Sequence, residues 1–130
     1  MPSVKRTVIT NSNLSSLKGT WEGWTSFGIG QFRPVLTWVE IVNGSVPIQG
    51  KITFNHLPEP VALVFPADAK SADNTITVDF NNGMISNQGT IIDQSGKNIF
   101  ELTHYDGKKP KLEGWFYYWS VKGTFSVTKK

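Results

Sequence analysis

The sequence predicts an all-β fold, an up-and-down antiparallel meander of about eight strands closed into a small barrel with little or no helix. Three observations carry this. No long segment repeats apolar residues with the spacing that a buried helix face requires. Gly, Pro, Asn and Asp punctuate the chain at intervals of roughly ten residues, and short β-rich runs at that spacing mark sandwiches and barrels. Gly50, Gly89, Gly114 and Gly123 fall inside such runs, where a barrel wall needs a sharp bend or a close approach.

Taken in order, residues 17–27 alternate, with Leu17, Gly19, Trp21, Gly23 and Phe27 on one side and Lys18, Thr20, Glu22 and Ser26 on the other. Residues 32–42 are apolar on both faces, so their orientation is open. Asn43-Gly44 signals a tight hairpin, because a type I′ turn needs positive φ at both central residues. Residues 46–54 then alternate again, and the prolines of His56-Leu57-Pro58-Glu59-Pro60 end that strand. Further strands are expected at 61–65, 75–80, 84–92 and 99–105, with turns at Asn82-Gly83 and Asp106-Gly107 between some of them. From Trp115 to Val127 the odd positions read Trp115, Tyr117, Trp119, Val121, Gly123, Phe125 and Val127 without a slip. One long strand over 111–127, bent near Gly123, makes eight strands; a break makes nine. Eight is preferred, because an even meander sets the last strand antiparallel to the first and removes both sheet edges. Ser16-Leu17-Lys18-Gly19-Thr20-Trp21 recurs as Ser120-Val121-Lys122-Gly123-Thr124-Phe125, which fits two strands meeting at a barrel seam.

At 130 residues the chain is the size of one domain, read as a flexible N-terminal arm over 1–16 and a barrel over 17–130. The absence of cysteine excludes disulfides, thiolate metal sites and a Cys nucleophile. Residues 1–16 lack the apolar stretch of a leader peptide, which fits a cytoplasmic protein or an exported one whose leader is gone. No run approaches the roughly 18 to 20 apolar residues of a membrane helix, so no membrane span is expected. The net charge of +3 is mild, and Lys108, Lys109, Lys111, Lys129 and Lys130 gather near a turn and the C-terminus. That reads as solubilising surface, with no nucleic-acid partner expected.

No nucleophile elbow, Walker loop or dinucleotide fingerprint is present. His56 and His104 are a surface histidine and a partly buried one in the bland reading, and no His-x-His spacing points to a metal. Glu101 and Tyr105 share a face and could project into a lumen as a general acid or base; the competing reading sets both on the solvent face. The aromatic content is the unusual feature: five Trp, eight Phe and three Tyr. Trp21, Trp38, Phe54, Phe65, Phe80 and Phe116 are candidate cavity linings. Trp24, Trp115, Tyr117 and Trp119 cannot all join them, since consecutive rings in Trp115-Phe116-Tyr117-Tyr118-Trp119 point both ways.

Gly19-Thr20-Trp21-Glu22-Gly23 on the first strand resembles the Gly-x-Trp opening of the calycin superfamily, the group of lipocalins, fatty-acid-binding proteins and avidins. The resemblance implies that Trp21 closes one end of the barrel and that a small ligand enters at the other. The same opening is similar to that of haem-binding nitrobindins, but their axial histidine has no assignable counterpart here, and no cofactor is expected.

Three functions remain open. The first is a non-catalytic binding barrel for a small apolar or aromatic molecule, lined by Trp21, Trp38, Phe54, Phe65 and Phe80 with Glu101, Tyr105 and Tyr117 as polar or aromatic handles. The second is a small isomerase, cyclase or lyase using a lumen Glu, Tyr or His. The third is an interaction module with a packed lumen and an outer aromatic face, for which a homodimer is the expected cover.

Overall fold

The computed structural model describes residues 4–7, 9–10, 14–28, 33–65, 71–79, 83–85, 91–92, 98–105, 110–118 and 121–130; for 4–7, 91–92, 98–105 and 118 the description is of the backbone alone. The chain is mostly antiparallel β. β2 (Gly19–Phe27), β3 (Val35–Ile41), β4 (Gly50–Phe54), β5 (Ile76–Asp79), β9 (Lys111–Tyr118) and β10 (Val121–Lys129) form one curled half-barrel sheet of six strands in the order β5-β4-β3-β2-β10-β9. Pairing continues from β9 to β8 (Asn98–Tyr105), then β7 (Ile91–Ile92) and β6 (Met84–Ile85), while β1 (Val4–Thr7) pairs with β8.

The two ends of the chain do meet. β10 runs antiparallel to β2, from Gly123 opposite Phe27 to Lys129 opposite Trp21. Alternation decides which face is buried. In β3, Val35, Thr37, Val39 and Ile41 are buried while Leu36, Trp38 and Glu40 are only partly covered. In β10, Val121, Gly123, Phe125 and Val127 face inward. These inward residues, with Trp21, Ile52, Phe54 and Phe116, form one contiguous core.

Several elements differ from the sequence reading. Residues 61–65 are not a strand; α1 (Glu59–Val64) is a short helix, the only α-helix among the described residues. Pro60 reads as a strand stop, but in the first helical turn its fixed φ is already suitable and its missing N–H has no partner to lose. Val61 and Ala62 turn inward, and the Ala62 N–H donates to the Pro58 carbonyl at 3.0 Å. Asn43-Gly44 makes no tight hairpin. The Asn43 amide instead braces a wider loop over 42–49, its Nδ2 donating to the Pro47 carbonyl and its Oδ1 accepting from the Gln49 N–H, both at 2.9 Å. Residues 84–92 do not form one strand, because Met84–Ile85 pairs antiparallel with Ile91–Ile92.

The run 111–127 is also two strands. Tyr118 stands opposite Val121, so the chain reverses between them. A two-residue connection shifts inward parity from even numbers in β9 (Leu112, Phe116) to odd numbers in β10. Large side chains on both faces of β9 hide that shift in the sequence. At the lead-in, Leu14–Leu17 forms one 3-10 turn with Leu14 and Leu17 buried, and Ile9 is buried as well.

Candidate functional site

The interior is built from rings. Phe27 lies edge-on to Phe54, Phe65 and Phe116, with centroids 5.4, 6.3 and 6.0 Å away, and Phe54 stacks on Phe116 at 4.8 Å. These separations are contact distances for aromatic pairs. Gly123 is what lets Phe116 lie inward: a Cβ there would fall within the Phe116 ring's van der Waals contact. Two hydroxyls interrupt this apolar interior. Thr25 and Thr37 are fully buried, their Oγ1 atoms are 2.6 Å apart, and Thr37 Oγ1 lies 2.8 Å from the Val35 carbonyl.

The two ends of the half-barrel are covered differently. Trp21 is fully buried beside the 3-10 turn, and its Nε1 donates to the Leu17 carbonyl at 2.9 Å. Lys129 Nζ lies 5.9 Å from the Trp21 ring centroid and donates to the Ser16 carbonyl at 2.8 Å, tying the last strand to the lead-in. At the Phe27 end, α1 brings in Val61, and Phe65 follows it against Phe27.

Of the eight candidate lining residues, the structure brings Phe54 and Phe65 together around Phe27, and it buries Trp21 near the 3-10 turn. Trp38 is not an interior residue. The alternation of β3 sets it outside, where its Nε1 donates to Glu22 Oε2 at 2.7 Å, and Lys130 Nζ lies 3.7 Å from the same carboxylate oxygen. Tyr117 is likewise outside and 41% exposed, since its neighbour Phe116 takes the inward position. Glu101 stands opposite Glu113 in the β8–β9 register and Tyr105 opposite Val4, but the side chains of Glu101 and Tyr105, and the whole of Phe80, lie outside the described residues. His56 is exposed on the loop after β4, with a left-handed φ of 54°.

The outer face carries a feature that the lining candidates did not include. β2, β10 and β9 lie side by side, with Ser126 between Trp24 and Glu113 in register, and Thr124 between Ser26 and Trp115. The two tryptophans therefore stand diagonally across β10. Between them lies an open groove of roughly 450 Å³, walled by Trp24, Pro34 and Trp115 over a floor of Ser26, Thr124 and Ser126. Trp24 is 56% exposed. A second hollow of roughly 370 Å³ shares Trp24 and Pro34 and adds Arg33. Trp115 is braced by Tyr117, edge-on at 5.5 Å, and by Lys122 Nζ at 5.2 Å from its centroid. Glu113 also lines the groove and pairs with Lys111 at 3.1 Å.

The signal for this groove is present in the sequence: Trp24 shares parity with Glu22 and Ser26, so a large ring sits on a polar face. Elsewhere, side-chain hydrogen bonds from Ser71 and Thr75 hold the Asp73 carboxyl below its ordinary range, within the turn that leads into β5. Among the described residues no three His, Asp or Glu side chains gather as metal ligands. No known family, curated protein or solved structure matches the chain.

Proposed function

We propose that this chain is a non-catalytic binding domain on a closed, calycin-like barrel, and that it takes its ligand on the outer face between Trp24 and Trp115. The observation that carries this is the contrast between the two faces of β2, β10 and β9. Their inward rings Phe27 and Phe116 touch each other, and Phe54 of β4 stacks on Phe116, so a lumen ligand on this side would have to displace a packed core. On the outward face Trp24 stands apart from the Trp115–Tyr117 pair, with an open groove between Trp24 and Trp115. The groove's volume falls in the range of roughly 300 to 1,000 Å³ usual for small-molecule sites.

Closure into eight staves is supported by the strand path. Ile48, just ahead of β4, bridges Gly83, just ahead of β6, through two backbone hydrogen bonds of 2.8 Å. Counting β5 and β6 as one stave, the order runs from that stave through β4, β3, β2, β10, β9, β8 and β7 back to itself. The calycin likeness is supported by Trp21, buried on the first stave and hydrogen-bonded to the turn before it.

A fragment screen on ¹⁵N-labelled protein tests where ligands bind. Hits are expected to shift the amides of Ser26, Thr124 and Ser126 and the indole of Trp24. Hits that shift Phe54 and Phe116 instead would return the site to the lumen.

A further inference from the structure

We propose that the outer groove recognises a neutral carbohydrate chain of two or more sugar units; this rests on the outer-face reading above and names the ligand class for it. A sugar ring has an apolar C–H face and a rim of hydroxyls, so its site needs flat aromatic surface and small polar groups within one ring's reach. The groove supplies both. Trp24, largely exposed, and Trp115 line it as flat aromatic side chains, and the strand between them presents Thr124 and Ser126, with Ser26 beside them on β2. Among the described residues none of these three hydroxyls has a hydrogen-bond partner. Hydroxyls that can donate and accept match a ligand that does the same.

Charge argues for a neutral ligand. Glu113 is the one ionisable residue among the described lining of the main groove, and Lys111 already neutralises it at 3.1 Å. The carboxylate keeps lone pairs to accept sugar hydroxyls, which are hydrogen bonds of the stronger, charge-assisted kind. A phosphate in the main groove would meet that carboxylate, since the lining cation, Arg33, belongs to the second hollow. The second hollow extends the site. It shares Trp24 and Pro34 with the first, so a linear chain can place units in both hollows and pack against Trp24 from each. Affinity should therefore rise with chain length.

The test is titration of the ¹⁵N-labelled protein with glucose, cellobiose, cellohexaose, xylohexaose, mannohexaose and chitohexaose. At least one hexaose is expected to shift Ser26, Thr124, Ser126 and the Trp24 indole with a Kd of roughly millimolar or tighter, and its disaccharide to bind more weakly. Trp24→Ala should weaken it by at least about tenfold, as loss of an aromatic anchor does. Because Trp24 is largely exposed, that variant should keep the parent's spectrum away from the groove. The double variant T124V/S126A supplies a second arm, since it removes floor hydroxyls while leaving both rings, and it should also weaken binding. No groove shift with any sugar overturns the proposal, as does binding unaffected by both variants. A proline-rich decapeptide that occupies the groove when no sugar does overturns it in favour of a peptide, and concentration-dependent groove shifts without ligand overturn it in favour of a second copy. In those last cases the outer-face reading survives; fragments or sugars that bind only around Phe54 and Phe116 end both.

Discussion

The inner and outer faces of the β9–β10 hairpin carry the same class of side chain for opposite ends. Phe116 and Phe125 point inward and are almost wholly buried, and Phe116 stacks on Phe54 over the gap left by Gly123. One residue away, Trp115 and Tyr117 point outward, edge against face, with Lys122 laid over them. Inside, rings touch rings within a packed core. Outside, Trp24 is separated from the Trp115–Tyr117 pair by serine and threonine, and what lies between is a groove. The difference teaches that aromatic content alone does not locate a binding site; the spacing of the rings and what lies between them does.

The comparison can be broken most forcefully from the inside. Trp21→Ala, or Phe116→Ala, should each cost about 3 to 5 kcal/mol in chemical denaturation, the range for emptying a large aromatic core position. A loss near zero for either would mean that the interior is not the sealed unit described. Gly123→Ala should cost about 1 to 3 kcal/mol by overpacking the site against the Phe116 ring. Adding Phe116→Leu to it should recover part of that loss, whereas two independent sites would simply add.

The buried threonines sharpen the picture of the interior. Thr37→Val should cost about 1 to 3 kcal/mol, because it strips the Thr25 hydroxyl of its buried neighbour. Replacing both threonines by valine should cost less than twice that, since no orphaned hydroxyl then remains. Urea midpoints for the single and double variants check this directly. The smallest stability effect belongs to the outer face: Trp24→Ala should change unfolding free energy by no more than about 0.5 kcal/mol.

How far the sequence reveals this depends on whether one period governs a segment. Where β2 and β4 alternate, the sequence points to strands, and the repeated Ser-x-Lys-Gly-Thr pattern at the two ends anticipates the β2–β10 pairing. In β9 the alternation fails as a guide, because both faces carry large rings, so the reversal after Tyr118 is invisible and Tyr117 reads as a lining residue. Trp38 misleads for a related reason. A bulky ring flanked by Thr37 and Val39 suggests burial, yet its partner is the Glu22 carboxylate on the outer face. α1 is hidden by Pro60, a residue that ends strands and begins helices alike. The groove itself is legible only in part. Parity marks Trp24 as an exposed ring, but its neighbours Trp115 and Glu113 come from a strand some ninety residues later, and only the β10 register brings them beside it.

The central claim is that the outer rings are open while the inner ones are sealed, and the indole N–H signals of the labelled protein report it in one experiment. A soluble nitroxide added to the protein should broaden the Trp24 signal first and leave Trp21 unchanged, with the Glu22-bonded Trp38 between them. Equal broadening of Trp21 and Trp24, or a Trp24 signal shielded as well as Trp21, would contradict the account.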